Sequence, residues 1–152
     1  MRRRTLVSLI VAVVVAFLVL SALLARGLSV GGAEDAAITD VVKAEARGDA
    51  GGVVGLIDGC RATPACRARA TVVSDALKRS GTVSIIQIQP SAGFSLTSTL
   101  GTARVAWLVG SSLPRVQCLR VHRVGNLLQG FTVKLLRVSV RITSDHACPA
   151  HF

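Results

Sequence analysis

Apolar residues form one long unbroken run near the start of the chain. From Leu6 to Ala25 the sequence has no charged residue and no proline. Twenty residues in a helix that rises about 1.5 Å per residue span roughly 30 Å, the thickness of the hydrocarbon core of a bilayer. The run also has no polar stripe, which a helix on a soluble globular core would need. It therefore predicts a transmembrane segment over residues 6–25.

The residues on either side of this run predict its orientation. Arg2, Arg3 and Arg4 precede it, and such a basic cluster stays on the cytoplasmic side of a membrane. Residues 1–5 are then a cytoplasmic stub, and the chain after the run lies outside the cytoplasm. A cleaved signal peptide has a shorter apolar region, of about 7–15 residues, and a small-residue cleavage site. Because no clean site follows here, we expect an uncleaved anchor in the cell membrane, whereas cleavage would give a secreted domain.

The next part of the chain has the residue spacing of helices. We predict a linker at residues 26–32 and helices over residues 33–47, 50–57 and 64–79. Gly48 breaks the first helix, and Asp49 can cap the second. Thr63 and Pro64 suit the N-cap and the first position of the third helix, and Gly81 can end it.

From Thr82 onward the apolar residues recur with period two, which indicates β-strands. The predicted strands cover residues 83–89, 94–99, 102–109, 115–124 and 131–142. Pro90 ends the first strand, and Gly125-Asn126 predicts a two-residue hairpin turn before the last. The apolar phase slips at Leu135-Leu136, so we expect a β-bulge that bends the sheet. Helices followed by strands predict an α+β domain over residues 33–152, with two to three helices packed on a curved, mostly antiparallel β-sheet.

The cysteines agree with a location outside the cytoplasm. There are four, Cys60, Cys66, Cys118 and Cys148, and an even number in an exported chain indicates two disulfides with three possible connectivities. A local loop is readily closed, so the first two cysteines are the default pair. The other two then pair by elimination, which ties the C-terminal tail to a strand. The alternative is a zinc site in the tail, formed by Cys148 with His146 and His151. Their spacing, His-x-Cys-x-x-His, matches no common zinc motif, so no metal or cofactor is expected.

Positive charge is concentrated in the strand half of the chain. From Gly81 to the end there are seven Lys or Arg residues, against Asp145 as the one acid. They alternate with apolar residues, so several should share the outer sheet face. The expected anionic-partner face consists of Arg104, Arg120, Arg123, Lys134, Arg137 and Arg141. It would bind anionic lipid or an acidic surface of an envelope protein complex, or it is a solvated face that keeps the domain soluble. Nucleic acid is not expected, because aromatic residues for base stacking make up 3% of the chain.

No group of residues predicts catalysis. A nucleophile triad would need Ser or Cys near a His and an acid. Asp145 adjoins His146, but neighbours on an extended chain point apart, and the cysteines are expected to be oxidised. We therefore predict that the protein is not an enzyme. Three apolar residues could line a ligand cavity in the bent sheet, namely Trp107, Leu119 and Phe131, although a lone Trp in an apolar strand is usually part of a core.

One stretch carries a resemblance to a known superfamily. The segment Ala44-Glu45-Ala46-Arg47-Gly48-Asp49, followed by Val53, Val54, Leu56, Ile57 and Asp58, resembles the opening of nuclear transport factor 2-like domains. That resemblance implies a helix that ends in Gly-Asp, a short second helix and a long sheet bent around a cone-shaped cavity. One membrane segment before such a domain is similar to mammalian-cell-entry-associated membrane proteins and related accessory proteins of bacterial envelopes.

The resemblance also implies a function. In those envelope proteins the domain is a scaffold or a binding module, so we expect a non-enzymatic, membrane-anchored scaffold or protein-interaction domain outside the cytoplasm. The alternative is a module that holds a small apolar ligand or lipid in the cavity of the bent sheet. The chain departs from the ketosteroid-isomerase-like branch, which needs a pocket acid and a Tyr or Asp as oxyanion donor. It has no Tyr, and after Asp75 its one acid is Asp145.

Overall fold

The computed structural model describes residues 2–92, 99–126, 130–143, 148–149 and 152. Its elements are the helices α1 (Arg2–Arg47), α2 (Ala50–Leu56) and α3 (Pro64–Leu77), and the strands β1 (Val83–Ala92), β2 (Leu100–Val109), β3 (Arg115–Asn126) and β4 (Gly130–Val138). A short 3-10 turn, Cys60–Ala62, precedes α3. The predicted α+β class is confirmed.

Helix α1 joins the apolar run to the domain without a break. It has 46 residues, and its part Thr5–Ala25 is long and apolar enough to cross a membrane, as a membrane anchor or a signal sequence is. The predicted linker at residues 26–32 is helical, including Gly31 and Gly32. A glycine costs about 1 kcal/mol in a helix relative to alanine. Propagation from helical segments on both sides needs no new nucleus, so this short glycine-containing stretch stays helical.

The last turns of α1 enter the core of the domain. Ile38, Val41 and Val42 are fully buried at the spacing of one helix face. Gly48 follows the helix with a φ of 72°, and an added Cβ there would lie 2.7 Å from the Cδ atom of Lys78. The backbone conformation therefore favours glycine at this position, whereas the flexible Lys78 side chain could move aside for a Cβ. The Asp49 side chain then caps α2 by accepting a hydrogen bond of 2.8 Å from the Gly52 backbone N–H.

The sheet is an antiparallel meander with the strand order β1-β2-β3-β4. Val121 pairs with Leu135, while Arg120 pairs with Arg137, so Leu136 is the additional residue and the predicted bulge is confirmed. A parallel bridge between Ile57 and Leu135 places the chain after α2 against the outer edge of β4.

Several predicted strand boundaries were wrong. The last strand, predicted over residues 131–142, ends at Val138, and Ile142 forms an isolated bridge with Val116. Gly125 pairs with Phe131 and Asn126 with Gly130, so these residues belong to the paired strands and the connection falls on residues 127–129, outside the described part of the chain. Pro90 does not end β1. Because β1 is an edge strand, a residue without an N–H group can face away from its one partner. The strand predicted over residues 94–99 lies outside the described residues, apart from Thr99.

The core lies between the three helices and one face of the sheet. Along β2 the odd-numbered positions from Ala103 to Val109 are buried, and the even-numbered positions between them are half-buried. Opposite residues in an antiparallel pair share a face, so Leu119 of β3, which pairs with Ala103, also faces the helices. Cys118 faces the other way and is fully buried, which means that the sheet's outer face is covered at this point.

Two disulfides fix the chain. One joins Cys60 to Cys66, and the other joins Cys118 to Cys148. This is the pairing expected from local loop closure and elimination. The second disulfide accounts for the burial of Cys118, because it attaches the C-terminal segment to the outer face of β3.

The two disulfides should differ in their contribution to stability. The cysteines of the first disulfide are 6 positions apart in the sequence, and those of the second are 30 positions apart. In the chain-entropy model these loops stabilise the fold by about 2 and about 3–4 kcal/mol. We expect the double variant C118A/C148A to lose more free energy of unfolding than C60A/C66A, measured by urea denaturation in detergent. Equal losses would contradict the loop-length explanation.

Candidate functional site

Four basic side chains form a block on the sheet face that points away from the helices. Arg120 lies directly opposite Arg137, and His122 lies directly opposite Lys134. Side chains at such positions have Cβ atoms about 4.5–5.5 Å apart. We call Arg120, His122, Lys134 and Arg137 the cationic block. Arg104 of β2 lies on the same face, diagonal to Arg120.

The block contains one pair of like charges at opposite positions, Arg120 and Arg137, and such a pair destabilises a sheet. None of the four strands contains an Asp or a Glu. Asp58, which follows α2, supplies one carboxylate from outside the sheet, and its Oδ1 lies 3.3 Å from the Lys134 Nζ. Both side chains of this pair are about half exposed, and such surface pairs contribute about 0–1 kcal/mol. The Arg137 side chain donates a hydrogen bond of 3.1 Å to the backbone oxygen of Phe152.

The structure does not bring all six predicted basic residues together. Arg123 lies on the helix-facing side of β3, opposite Val133, and its guanidinium carbon is 5.0 Å from the centre of the Phe131 ring. One position along a strand moves a side chain to the other face, which is why a residue close in sequence to Arg120 is far from the block. Arg141 follows β4 and lies near Arg115 instead.

The three predicted cavity residues do not line a cavity together. Trp107 and Leu119 are fully buried in the core, and Phe131 is half-buried beside Arg123. The indole N–H of Trp107 donates a hydrogen bond of 2.7 Å to the side-chain oxygen of Gln117. Trp107 and Leu119 therefore fill space between the sheet and the helices.

A buried polar network continues from Trp107 to α1. The side-chain nitrogen of Gln117 donates to Glu45 Oε2 at 2.9 Å and to the Ser139 backbone oxygen at 3.1 Å. Glu45 and Gln117 are both fully buried. The other carboxyl oxygen, Glu45 Oε1, has no hydrogen-bond partner among the described residues. Burial raises the pKa of Glu45 to about 7, and the hydrogen bond from Gln117 opposes that rise.

Glu45 also lines a cavity of about 350 Å³ between α2, α3 and β4. The apolar part of the wall includes Val53, Ile57, Val73 and Val138, and Arg69 lies among the polar lining residues. The wall thus combines apolar side chains with charged ones, and Glu45 is its buried carboxyl group. A carboxyl group with a pKa near 7 can accept or donate a hydrogen bond at neutral pH, so the arrangement is suited to holding a polar group of a mostly apolar molecule.

The sequence did not lead us to predict Glu45 as a site residue, although its position in the apolar stripe of the helix indicated that it is buried. Glu45 follows Ile38, Val41 and Val42 at the spacing of one helix face. An acid that continues an apolar stripe is buried, and a buried acid needs partners. The partner of Glu45, Gln117, lies seventy-two positions further along the chain, and Gln117 in turn donates to the Ser139 backbone oxygen. The network itself could therefore not be found by spacing.

The described residues hold no group of three or more His, Cys, Asp or Glu side chains that could bind a metal ion. Cys148, the cysteine of the zinc alternative, is bonded to Cys118. Comparisons with protein-family models, with curated proteins and with solved structures find no match for this chain.

Glu45 should make stability depend on pH. Its pKa is about 7 in the folded protein and 4.5 as the ordinary value, so the folded state binds the proton more tightly between these pH values. Stability is then highest below about pH 4.5 and falls as the pH rises through 7, by about 3 kcal/mol in total. The E45Q variant cannot ionise and keeps an oxygen that accepts from Gln117. We expect it to lose this dependence and to be more stable than the parent at about pH 8.

The measurement is urea unfolding at about pH 5 and about pH 8 for the parent, E45Q and a control. The control is D40N, which removes an exposed carboxylate from the same helix. D40N should keep the parent's pH dependence. If E45Q keeps it as well, Glu45 is not the group responsible.

Proposed function

We propose that this chain is a membrane-anchored, non-enzymatic interaction domain of the bacterial cell envelope, and that it contacts an anionic partner through the cationic block. The observation that carries this proposal is the pairing of like charges across β3 and β4 on strands without a carboxylate. Basic residues at opposite positions concentrate positive potential on this face, and such a potential attracts an anionic partner. The expected partner is anionic lipid or an acidic surface of an envelope protein complex.

The location in this proposal depends on two further features. The apolar part of α1 is long enough for a single span, and disulfides form and persist in oxidising compartments outside the cytoplasm. Together they support an uncleaved anchor with the domain on the extracytoplasmic side.

The layout of the domain supports a nuclear transport factor 2-like assignment as part of the same proposal. The helix before Gly48 and Asp49, the short α2 and the bulged sheet are the features that the resemblance implies. We therefore extend the comparison to membrane-anchored mammalian-cell-entry-associated proteins, whose domain is a scaffold or binding module.

A second candidate function is a module that binds a small apolar ligand. The observation that favours it is the cavity of about 350 Å³ with the unsatisfied Oε1 atom of Glu45. A buried acceptor without a partner costs about 1–3 kcal/mol, and a ligand hydroxyl or amide group would satisfy it. In this alternative the ligand lies between α2, α3 and β4, because Trp107 and Leu119 already fill the space beside them.

The proposed topology predicts the response to protease. Protease added to intact spheroplasts should digest the domain, because the span holds it on the outer side of the membrane. A cytoplasmic marker protein in the same sample should stay intact. Digestion of the domain only after lysis would contradict the proposed orientation.

The proposed role of the cationic block predicts a site-specific loss of binding. We expect the chain from Gly31 onward to bind vesicles that contain anionic lipid, because each basic residue near such a surface contributes on the order of 1 kcal/mol. The four-residue variant R104Q/R120Q/K134Q/R137Q should lose most of this binding, measured by co-sedimentation at low ionic strength. It leaves Arg123 in place because that side chain packs against Phe131.

A matched control separates a site from total charge. The variant K43Q/R47Q/R61Q/R67Q also removes four positive charges, from exposed positions on the helical half. It should retain most of the binding. Equal losses in the two variants would mean that only net charge matters and that the block is a solvated face.

A further inference from the structure

A second basic cluster lies at a different place in the fold, where the end of α3 meets the segment after β4. A cavity of about 300 Å³ opens there, and Arg79, Arg115 and Arg141 all line it. Its volume is at the lower end of the range found for small-molecule sites. None of the described residues that line it is acidic.

Arg115 is the most enclosed of the three arginines. It is 9% exposed, and its guanidinium carbon is 5.9 Å from the centre of the Trp107 ring. One of its nitrogens, Nη1, donates a hydrogen bond of 3.3 Å to the Leu77 backbone oxygen. A guanidinium has five N–H donors in a planar fork, so this bond leaves most of its capacity for another acceptor.

The three arginines repel one another. Burial lowers the pKa of Arg115, and the charges of Arg79 and Arg141 lower it further. Both neighbours are exposed, so either side chain could turn away into solvent. An anion in the cavity would attract all three guanidinium groups and so favour the arrangement in which they face it.

The rest of the cavity wall is apolar and partly open to solvent. Val72 on α3 and Val140 after β4 both line it, and they are 65% and 54% exposed. Leu77 and Ala76 continue the same wall. A plain inorganic anion would leave this apolar surface in water, whereas a molecule with an apolar chain next to its charge would cover it.

We propose that this cavity binds a single-chain amphiphilic anion, with its carboxylate or phosphate head held by Arg79, Arg115 and Arg141 and the start of its chain packed against Val72, Leu77 and Val140. Arg side chains match both head groups because their fork of donors fits two oxygens at once. Its three arginines do not belong to the cationic block, and its wall has Val73 in common with the cavity beside Glu45. The proposal does not depend on either proposed function.

The test is calorimetric titration of the full chain in zwitterionic nanodiscs, with empty nanodiscs as background. The probes are octanoate, octyl phosphate, 1-octanol and acetate. Octanoate or octyl phosphate should bind at least about tenfold more tightly than the other two, which corresponds to about 1.4 kcal/mol or more. Stronger binding of one acid than of the other identifies the head group. Acetate that binds as well as octanoate, 1-octanol that binds as well as octanoate, or no binding by either amphiphilic acid would each overturn the proposal.

Trp107 locates the site, because it is the one tryptophan of the chain and lies beside Arg115. Octanoate should change its fluorescence in the parent. The variant R79Q/R141Q changes two exposed residues, so the fold should survive, and it should weaken octanoate binding by at least about tenfold. The control R61Q/R67Q removes the same charge from the helical half and should bind as the parent does. Equal weakening in both variants would mean that the anion is attracted by net charge and not by this cavity.

Discussion

The burial of the last turns of α1 against the sheet is the contact on which the other parts of the domain depend. Ile38, Val41 and Val42 bring the apolar face of this helix into the centre of the core. The same face carries Glu45 to Gln117, and the Ala46 backbone oxygen accepts a hydrogen bond of 2.9 Å from the Arg79 backbone N–H. The helix that supplies the membrane segment is thus also the helix that organises α2, α3 and the sheet. The part of α1 from Glu34 onward therefore belongs to the domain, whereas the apolar part Thr5–Ala25 is not buried in it.

The sequence predicted features that depend on local pattern. The bulge at Leu136 follows from a slip in alternation, and the start of α2 follows from Asp49, because each signal lies within a few residues of its effect. Features that depend on pairing between distant parts of the chain were harder to predict from the sequence. Gly125 and Asn126 have the composition of a tight turn, but pairing with Phe131 and Gly130 extends the strands past them. The glycines near residue 31 predicted a linker, and this was wrong. Composition alone does not show that helices on both sides propagate through such a stretch.

The same distinction applies to the candidate sites. The basic character of the strands could be read from the sequence, and alternation placed Arg120 and Arg137 on one face. Arg123 differs by one position in phase, and its packing on Phe131 requires knowledge of the register. The cavity of Arg79, Arg115 and Arg141 joins residues from three separate segments, so only the folded chain brings them together. Positive charge in this domain is therefore divided between two surfaces with different surroundings, one on an open sheet face and one around an apolar cavity.

The unbroken helix between Ala25 and Glu34 fixes a geometry that a flexible tether would not. Each residue of an α-helix advances the chain by about 1.5 Å and turns it by about 100°. With the uncleaved anchor proposed above, the number of residues between the span and the first buried turn would set the rotation of the domain about the helix axis and its height above the bilayer. One inserted residue would rotate every surface of the domain by more than a quarter of a circle relative to neighbouring membrane proteins. Inserting about seven residues would nearly restore the original orientation. In an uncleaved protein, the length of this short stretch of helix would therefore set the orientation of the domain at the membrane.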